Sequence, residues 1–265
     1  MSALTVAIAC LQNPRTPQAK GVAPGWIVFD MFLYLRDKSS ASSTDEPDCQ
    51  LATALVRYYN RGDLSVVKQD EDIYCMVVCT LARPQPSQIA AYVGDEVDAQ
   101  EYNFMGDIVY LAPLPITELP CYAPYVIVSG AATNVNRAEA RWHTPISQYA
   151  FNTKDAALQV HARLPDLPRW NKEKKPVPSD LSLYAGAGKL ADVVTAKDSQ
   201  AAAHIGVDIE NIAFLGRAQQ IAPSDHESGT PSTPNGKRGP KIMKRPSTPS
   251  TPTPSQPPSK KTKSS

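Results

Sequence analysis

Nine strand-length apolar runs, each ended by Pro, Gly, Asp or Asn, are the feature that most constrains the fold of this chain. In order they are VAIAC, WIVFDMFLYL, IYCMVVCTLA, GDIVYLAPL, YVIVSGAATNV, ARWHTPISQYAF, ALQVHARL, LSLYAGAGKLADVV and HIGVDIENIAFLGR. Short runs with two-residue periodicity and frequent turn residues predict an all-β protein. One helix is expected between Pro47 and Tyr59: Ser43, Thr44 and Asp45 offer caps, and Leu51, Leu55 and Tyr58 or Tyr59 recur at helical spacing.

The last run carries an irregularity. Ile205, Val207 and Ile209 share one parity and Ile212 and Phe214 the other, so one residue too many lies between Ile209 and Ile212. That is the pattern of a β-bulge, which bends a strand and raises its twist. ARWHTPISQYAF (140–151) aligns without gaps on AHIGVDIENIAF (203–214), with Ala140, Ile146, Ala150 and Phe151 matching Ala203, Ile209, Ala213 and Phe214. The same slip is expected between Ile146 and Tyr149. Upstream, SGAATNV (129–135) aligns with AGKLADV (187–193), so the chain reads as a duplication. Gly-bearing strands and bulged closing strands suit a small Greek-key barrel, the OB-fold. The expectation is two tandem OB-like barrels with one short helix, over 1–150 and 151–221. A disordered basic tail is expected over 222–265.

Charge is unevenly distributed. Residues 1–150 hold 10 Lys/Arg against 16 Asp/Glu, residues 151–221 hold 9 against 8, and the tail holds 8 against 2. The tail also has 10 Pro, 9 Ser and 6 Thr and no aromatic residue, a composition unable to bury a core. Its clusters GKRGPKIMKRP and SKKTK, with Lys237, Arg238, Lys241, Lys244, Arg245, Lys260, Lys261 and Lys263, read as nuclear-import signals. Thr230, Thr233, Thr248, Thr251 and Thr253 each precede proline and are candidate phosphorylation sites for proline-directed kinases. Five cysteines without framework spacing fit a reducing compartment, with Cys75 and Cys79 as core residues on one side of a strand. No run has the length of a membrane span.

The loop PDLPRWNKEKKPVPS (165–179) carries the strongest functional content. Arg169, Lys172, Lys174 and Lys175 could track phosphates, and Trp170 could stack on a base. The alternative is a solvated loop with Trp170 anchored on the barrel. We expect this loop to join the first two strands of the second barrel, with Tyr184 and Lys189 extending its surface outward. AGAGKL is not a phosphate-binding loop, because Leu190 stands where Ser or Thr is required. No catalytic constellation, metal set or cofactor motif emerges, so the expected protein is not an enzyme and takes no metal or cofactor.

GKLADV and VDIENIAFLGRAQ (188–219) resemble the closing strands of bacterial-type single-stranded DNA-binding proteins. The resemblance rests on Gly188, Lys189, Leu190, Ile212, Phe214, Leu215, Gly216 and Arg217. The basic tail departs from the acidic tail of that family. The whole chain is also similar to OB-like proteins of mushroom-forming fungi, which implies no activity. The resemblance implies a non-enzymatic protein that binds single-stranded nucleic acid, DNA rather than RNA; the tail places it in the nucleus. The acidic front suits a protein partner instead, and the alternative is an OB-fold scaffold for protein–protein contacts in a nuclear complex. No membrane partner is expected.

Overall fold

The computed structural model describes residues 2–18, 25–36, 49–60, 71–94, 97–170, 174–197 and 199–217. Eleven strands dominate: β1 (Ser2–Arg15), β2 (Trp26–Arg36), β3 (Cys49–Tyr59), β4 (Ile73–Cys79), β5 (Phe104–Pro113), β6 (Tyr125–Ala131), β7 (Thr133–Asn136), β8 (Arg141–Ala150), β9 (Thr153–Arg163), β10 (Ser182–Thr195) and β11 (Ala202–Arg217). Helix α1 (Pro86–Val93) and a single 3-10 turn (Ala99–Glu101) separate β4 from β5. Residues 1–220 form one compact unit. Among the described residues, no helix is long and apolar enough to cross a membrane.

Two circuits of strand pairing close within this unit. In the first, β1 pairs with β2, β2 with β3, β3 with β5, β5 with β4, and β4 returns to β1. The β3–β5 pairing is parallel and the rest are antiparallel. In the second, β6 and β7 are separated by Ala132 alone and act as one bent strand. From it the order runs β8, β9, β11, β10 and back to β6, with β9–β11 the parallel pair. Both circuits are the five-stranded Greek-key barrel of the OB-fold. They join edge to edge, since Ser2–Val6 of β1 pair antiparallel with Ser129–Tyr125 of β6.

Alternation explains which side chains fill each barrel. Phe29, Met31, Leu33 and Leu35 of β2 meet Ala52, Ala54, Val56 and Tyr58 of β3 in the first interior. Trp142, Ile146, Leu158, Val160, Ile205, Val207 and Ile209 belong to the same buried cluster on the second barrel's side. Cys75 and Cys79 are fully buried free thiols, and burial pushes each up to about 12. Cys121 is disulfide-bonded, where the cysteine usage had suggested a reducing compartment.

The helix expected at 47–59 is a strand. Residues 49–59 pair with β2 over their whole length, so hydrogen bonding to a long neighbour overrides local helical spacing. The helix lies instead at Pro86–Val93, opened by proline and ended by Gly94 at φ 78°, with Ile89, Tyr92 and Val93 buried. The expected boundary at 150/151 falls inside the β8–β9 hairpin, whose register runs from Arg141–Arg163 to Ala150–Thr153. The first circuit ends with β5 at Pro113 and the second begins with β6 at Tyr125.

The bulge in the last strand is present. Ala187 opposes Asn211 and Gly188 opposes Ile209, leaving Glu210 without a partner across the ladder. Ile212 therefore opposes Gly186 and packs part-buried against the core, while Phe214 opposes Tyr184 and is itself 52% exposed. A Cβ on Gly188 would stand 1.9 Å from the Asp208 carbonyl oxygen, so only glycine permits this approach. The second slip, between Ile146 and Tyr149, does not break the alternation of β8, although the ladder to β9 shifts register between Gln148 and Ala150. Trp142, Thr144, Ile146, Gln148 and Ala150 are buried in unbroken alternation. Gln148 takes a hydrophobe's place because its amide is satisfied: it accepts from the Ala3 N–H at 3.2 Å and donates to the Leu81 carbonyl. The segments aligned as repeats are thus the second and fifth strands of one barrel, not the closing strands of two.

A polar clasp fixes the barrels to one another. Phe151 and Asn152, both at positive φ, form the β8–β9 turn. Arg57, 2% exposed, holds Asp107 through two bonds of 2.5 and 2.8 Å and donates to the Tyr92 hydroxyl at 2.8 Å. Asn152 donates to the same hydroxyl at 2.7 Å, and the Phe151 N–H to Asp107 at 3.3 Å.

Candidate functional site

The loop 165–179 joins β9 to β10, the third and fourth strands of its barrel, rather than the first and second. Its residues do different things. Trp170 packs part-buried on the core, with the Arg169 guanidinium 4.8 Å over its ring. Arg169 donates to Asn211 at 3.2 Å. Lys175, 16% exposed, is held by Asp166 at 2.7 Å and by the Leu164 carbonyl at 2.9 Å, so its charge braces the loop. Lys174 is exposed; Lys172 lies outside the described residues. The basic-cluster and threonine positions of the tail lie outside them too.

Tyr184 does not face outward. It is fully buried, its hydroxyl 2.7 Å from that of Thr144 and its ring edge-on to Trp142 at 5.4 Å. Lys189 is exposed and paired with Glu210 at 3.4 Å. The bulge gathers part of the expected set: Glu210 takes Lys189, while Asn211 takes Arg169 and donates to the Tyr125 hydroxyl at 3.3 Å. A bulge re-aims side chains in this way.

A second surface was not foreseen. On β8, β9 and β11 the alternation that buries Trp142, Val160 and Ile205 leaves His143, His161 and His204 on the outer face. His143 stands opposite His161, and the parallel β9–β11 register brings His204 alongside. The three rings stack, at 3.9 Å and 8° between the first two and 3.7 Å and 22° between the next. Burial, then the neighbouring His204 and His143, pushes His161 down to about 4, with Asp192 opposing. The His143 Nδ1 lies 3.2 Å from the Asn134 amide nitrogen and 3.4 Å from that of Gln159. Four histidines scattered over the sequence gave no hint of this; only the register of three strands assembles them. Among the described residues no set of three His, Cys, Asp or Glu could hold a metal ion.

The ladder lines a groove of about 540 Å³, whose rim includes Asn136, Glu139, Arg141, Arg163 and Asp192. Arg141 is 58% exposed, with Glu139 3.2 Å away. Arg163 is neutralised by Asp208. A second groove of about 570 Å³ shares Glu139 and is lined by Arg137, Lys174 and Lys175. The turn between β7 and β8 thus carries Arg137 and Arg141 on either side, with Lys174 beside it. That turn joins the first two strands of the barrel, the place in an OB-fold from which ligands are held together with the faces of strands two and three. The cationic region of the site therefore lies across this turn.

On the first barrel a groove of about 460 Å³ opens between Cys10, Phe32, Tyr34, Leu51 and Tyr74, with Asp72 and Glu118 at its edge. It is aromatic and acidic where the second barrel's is imidazole-lined and of mixed charge.

No family model and no curated protein matches the chain. Among solved structures, it is similar to the wild-type single-stranded DNA binding protein from Thermus aquaticus: TM-score 0.43, 14% identity, covering 84% of this chain and 96% of that one. A deletion mutant of the same protein gives TM-score 0.41 and 13% identity over 85% and 98%.

Proposed function

We propose that this protein binds single-stranded nucleic acid, DNA rather than RNA, on the face of the second barrel formed by β8, β9 and the β7–β8 turn. The observation that carries the reading is the joining of exposed cations to flat rings on the ligand-holding face of an OB barrel. Arg137, Arg141 and Lys174 supply charge for phosphates, and the imidazole ladder and exposed Tyr149 supply surfaces for bases. Arg169, Trp170 and Lys189 form a separate strip along the bulge that extends the same barrel's reach. Binding needs no enzymatic step and no cofactor.

The first barrel has a different role in this proposal. Its excess of acidic residues repels a phosphate backbone, and the groove at Phe32, Tyr34 and Tyr74 with Asp72 and Glu118 suits a basic, aromatic-containing polypeptide. The tail, through Lys237 to Arg245 and Lys260 to Lys263, serves nuclear import, with phosphorylation of the five Thr-Pro sites reducing its charge. Deleting 222–265 should leave the protein in the cytoplasm; unchanged nuclear localisation removes that role.

The test of binding is fluorescence anisotropy of a labelled oligothymidylate with the full chain. Arg137→Ala with Arg141→Ala should weaken binding by about tenfold, as expected for two lost phosphate contacts at moderate salt. An unchanged affinity would move the site elsewhere on the molecule.

A further inference from the structure

We propose that the His143–His161–His204 ladder makes strand binding proton-linked: the groove takes up protons as the phosphates of a single strand settle against it. The inference rests on the binding face proposed above and adds its regulation. Three imidazoles in a stack, each centroid within 4 Å of the next, cannot all become charged unless an anion compensates them, because like charges at that spacing disfavour ionisation. The phosphodiester backbone of a bound strand is such an anion. Protein and ligand then change each other's affinities reciprocally: phosphate favours protonated rings, and protonated rings favour phosphate.

The groups facing the ladder leave room for that role. On β10, Asp192 draws close enough to favour a charged His161, and its carboxylate occupies the space a Cβ on Gly206 of β11 would need. On β9 and β11, Arg163 and Asp208 cancel each other, and on the β7–β8 turn and β8, Glu139 and Arg141 pair. From β7 and β9 only the neutral amides of Asn134 and Gln159 reach His143. The ladder thus sets the imidazoles of the groove side by side, and imidazole is the side chain whose charge ordinarily changes between pH 5 and 8. The groove is open and of a size for a nucleotide or two, so a phosphate can approach the rings without unfolding the face.

The experiment measures the affinity of the full chain for labelled oligothymidylate at pH 7.5, 6.5 and 5.5 at fixed ionic strength. Alongside it, binding heats are compared in two buffers of different ionisation enthalpy. Uptake of about half a proton or more per event predicts at least a tenfold tightening from pH 7.5 to 5.5, and heats that differ between the buffers. His143→Gln, at the end of the stack, should lower the pH dependence by half or more. Binding that is flat with pH and buffer-independent in heat overturns the proton linkage and leaves the binding face standing. A pH dependence that survives intact in both His143→Gln and His161→Gln also overturns it. Absence of binding at every pH overturns both.

Discussion

Arg57 shows how a single residue can bear on both barrels. Its guanidinium is held by Asp107 and Tyr92, and the Trp26 ring lies 4.4 Å beneath it. Arg57→Ala leaves the Asp107 carboxylate, 17% exposed, without its counter-charge, and should cost about 3–5 kcal/mol. Urea unfolding should show a matching fall in midpoint; a loss under about 1 kcal/mol contradicts the clasp. His161 gives a second residue-scale expectation. Its ring is held at about 4, below its ordinary 6.5, so the unfolded chain binds the proton first as pH falls. That part of the stability is present above pH 6.5 and is lost on going from 6.5 towards 4. His161→Gln should show a smaller drop in Tm than wild type over that window, and equal drops would refute the assignment. Residue polarity also misled. Tyr184 shares its inward parity with Ser182, Gly186, Gly188 and Leu190, while Leu183 faces out, so the more apolar parity at the start of β10 was the wrong one.

At the scale of elements, strands were legible and their partners were not. All nine apolar runs lie in β-strands wholly or in large part, because two-residue periodicity is a local property. Residues 49–59 escaped because Leu55 and Arg57 are buried along with Ala52, Ala54, Val56 and Tyr58. One side packs into the barrel and the other under α1, so burial on both parities imitates helical spacing. The bulge at Glu210 was legible because hydrophobes flank it, and the apparent parity slip at Ile146–Tyr149 arose because a satisfied glutamine stands in for a hydrophobe. The bulge also gives a sharp prediction. Gly188→Ala forces a methyl against the Asp208 carbonyl and should destabilise by at least about 2 kcal/mol, by the usual cost of overpacking plus the backbone shift. A thermal midpoint equal to wild type would show that the strand has room there.

Over the whole molecule, what decides function is which strands close on which. Parallel pairing of β3 with β5 and of β9 with β11 joins segments some 50 residues apart, and no local pattern encodes it. The connection made by loop 165–179, the histidine ladder and the Arg137–Arg141 turn all depend on those pairings and leave no local signature. What sequence did convey was charge: an acidic front, a nearly neutral second barrel and a basic tail. The central claim is that the second barrel itself, rather than the tail, holds a single strand. The most direct test is the salt dependence of oligothymidylate binding by a chain ending at residue 217. With Arg137, Arg141 and Lys174 as the phosphate contacts, the slope of log Kobs against log salt should be about −2, falling towards zero in the triple alanine variant. No binding at low salt, or a slope the triple variant leaves unchanged, contradicts the claim.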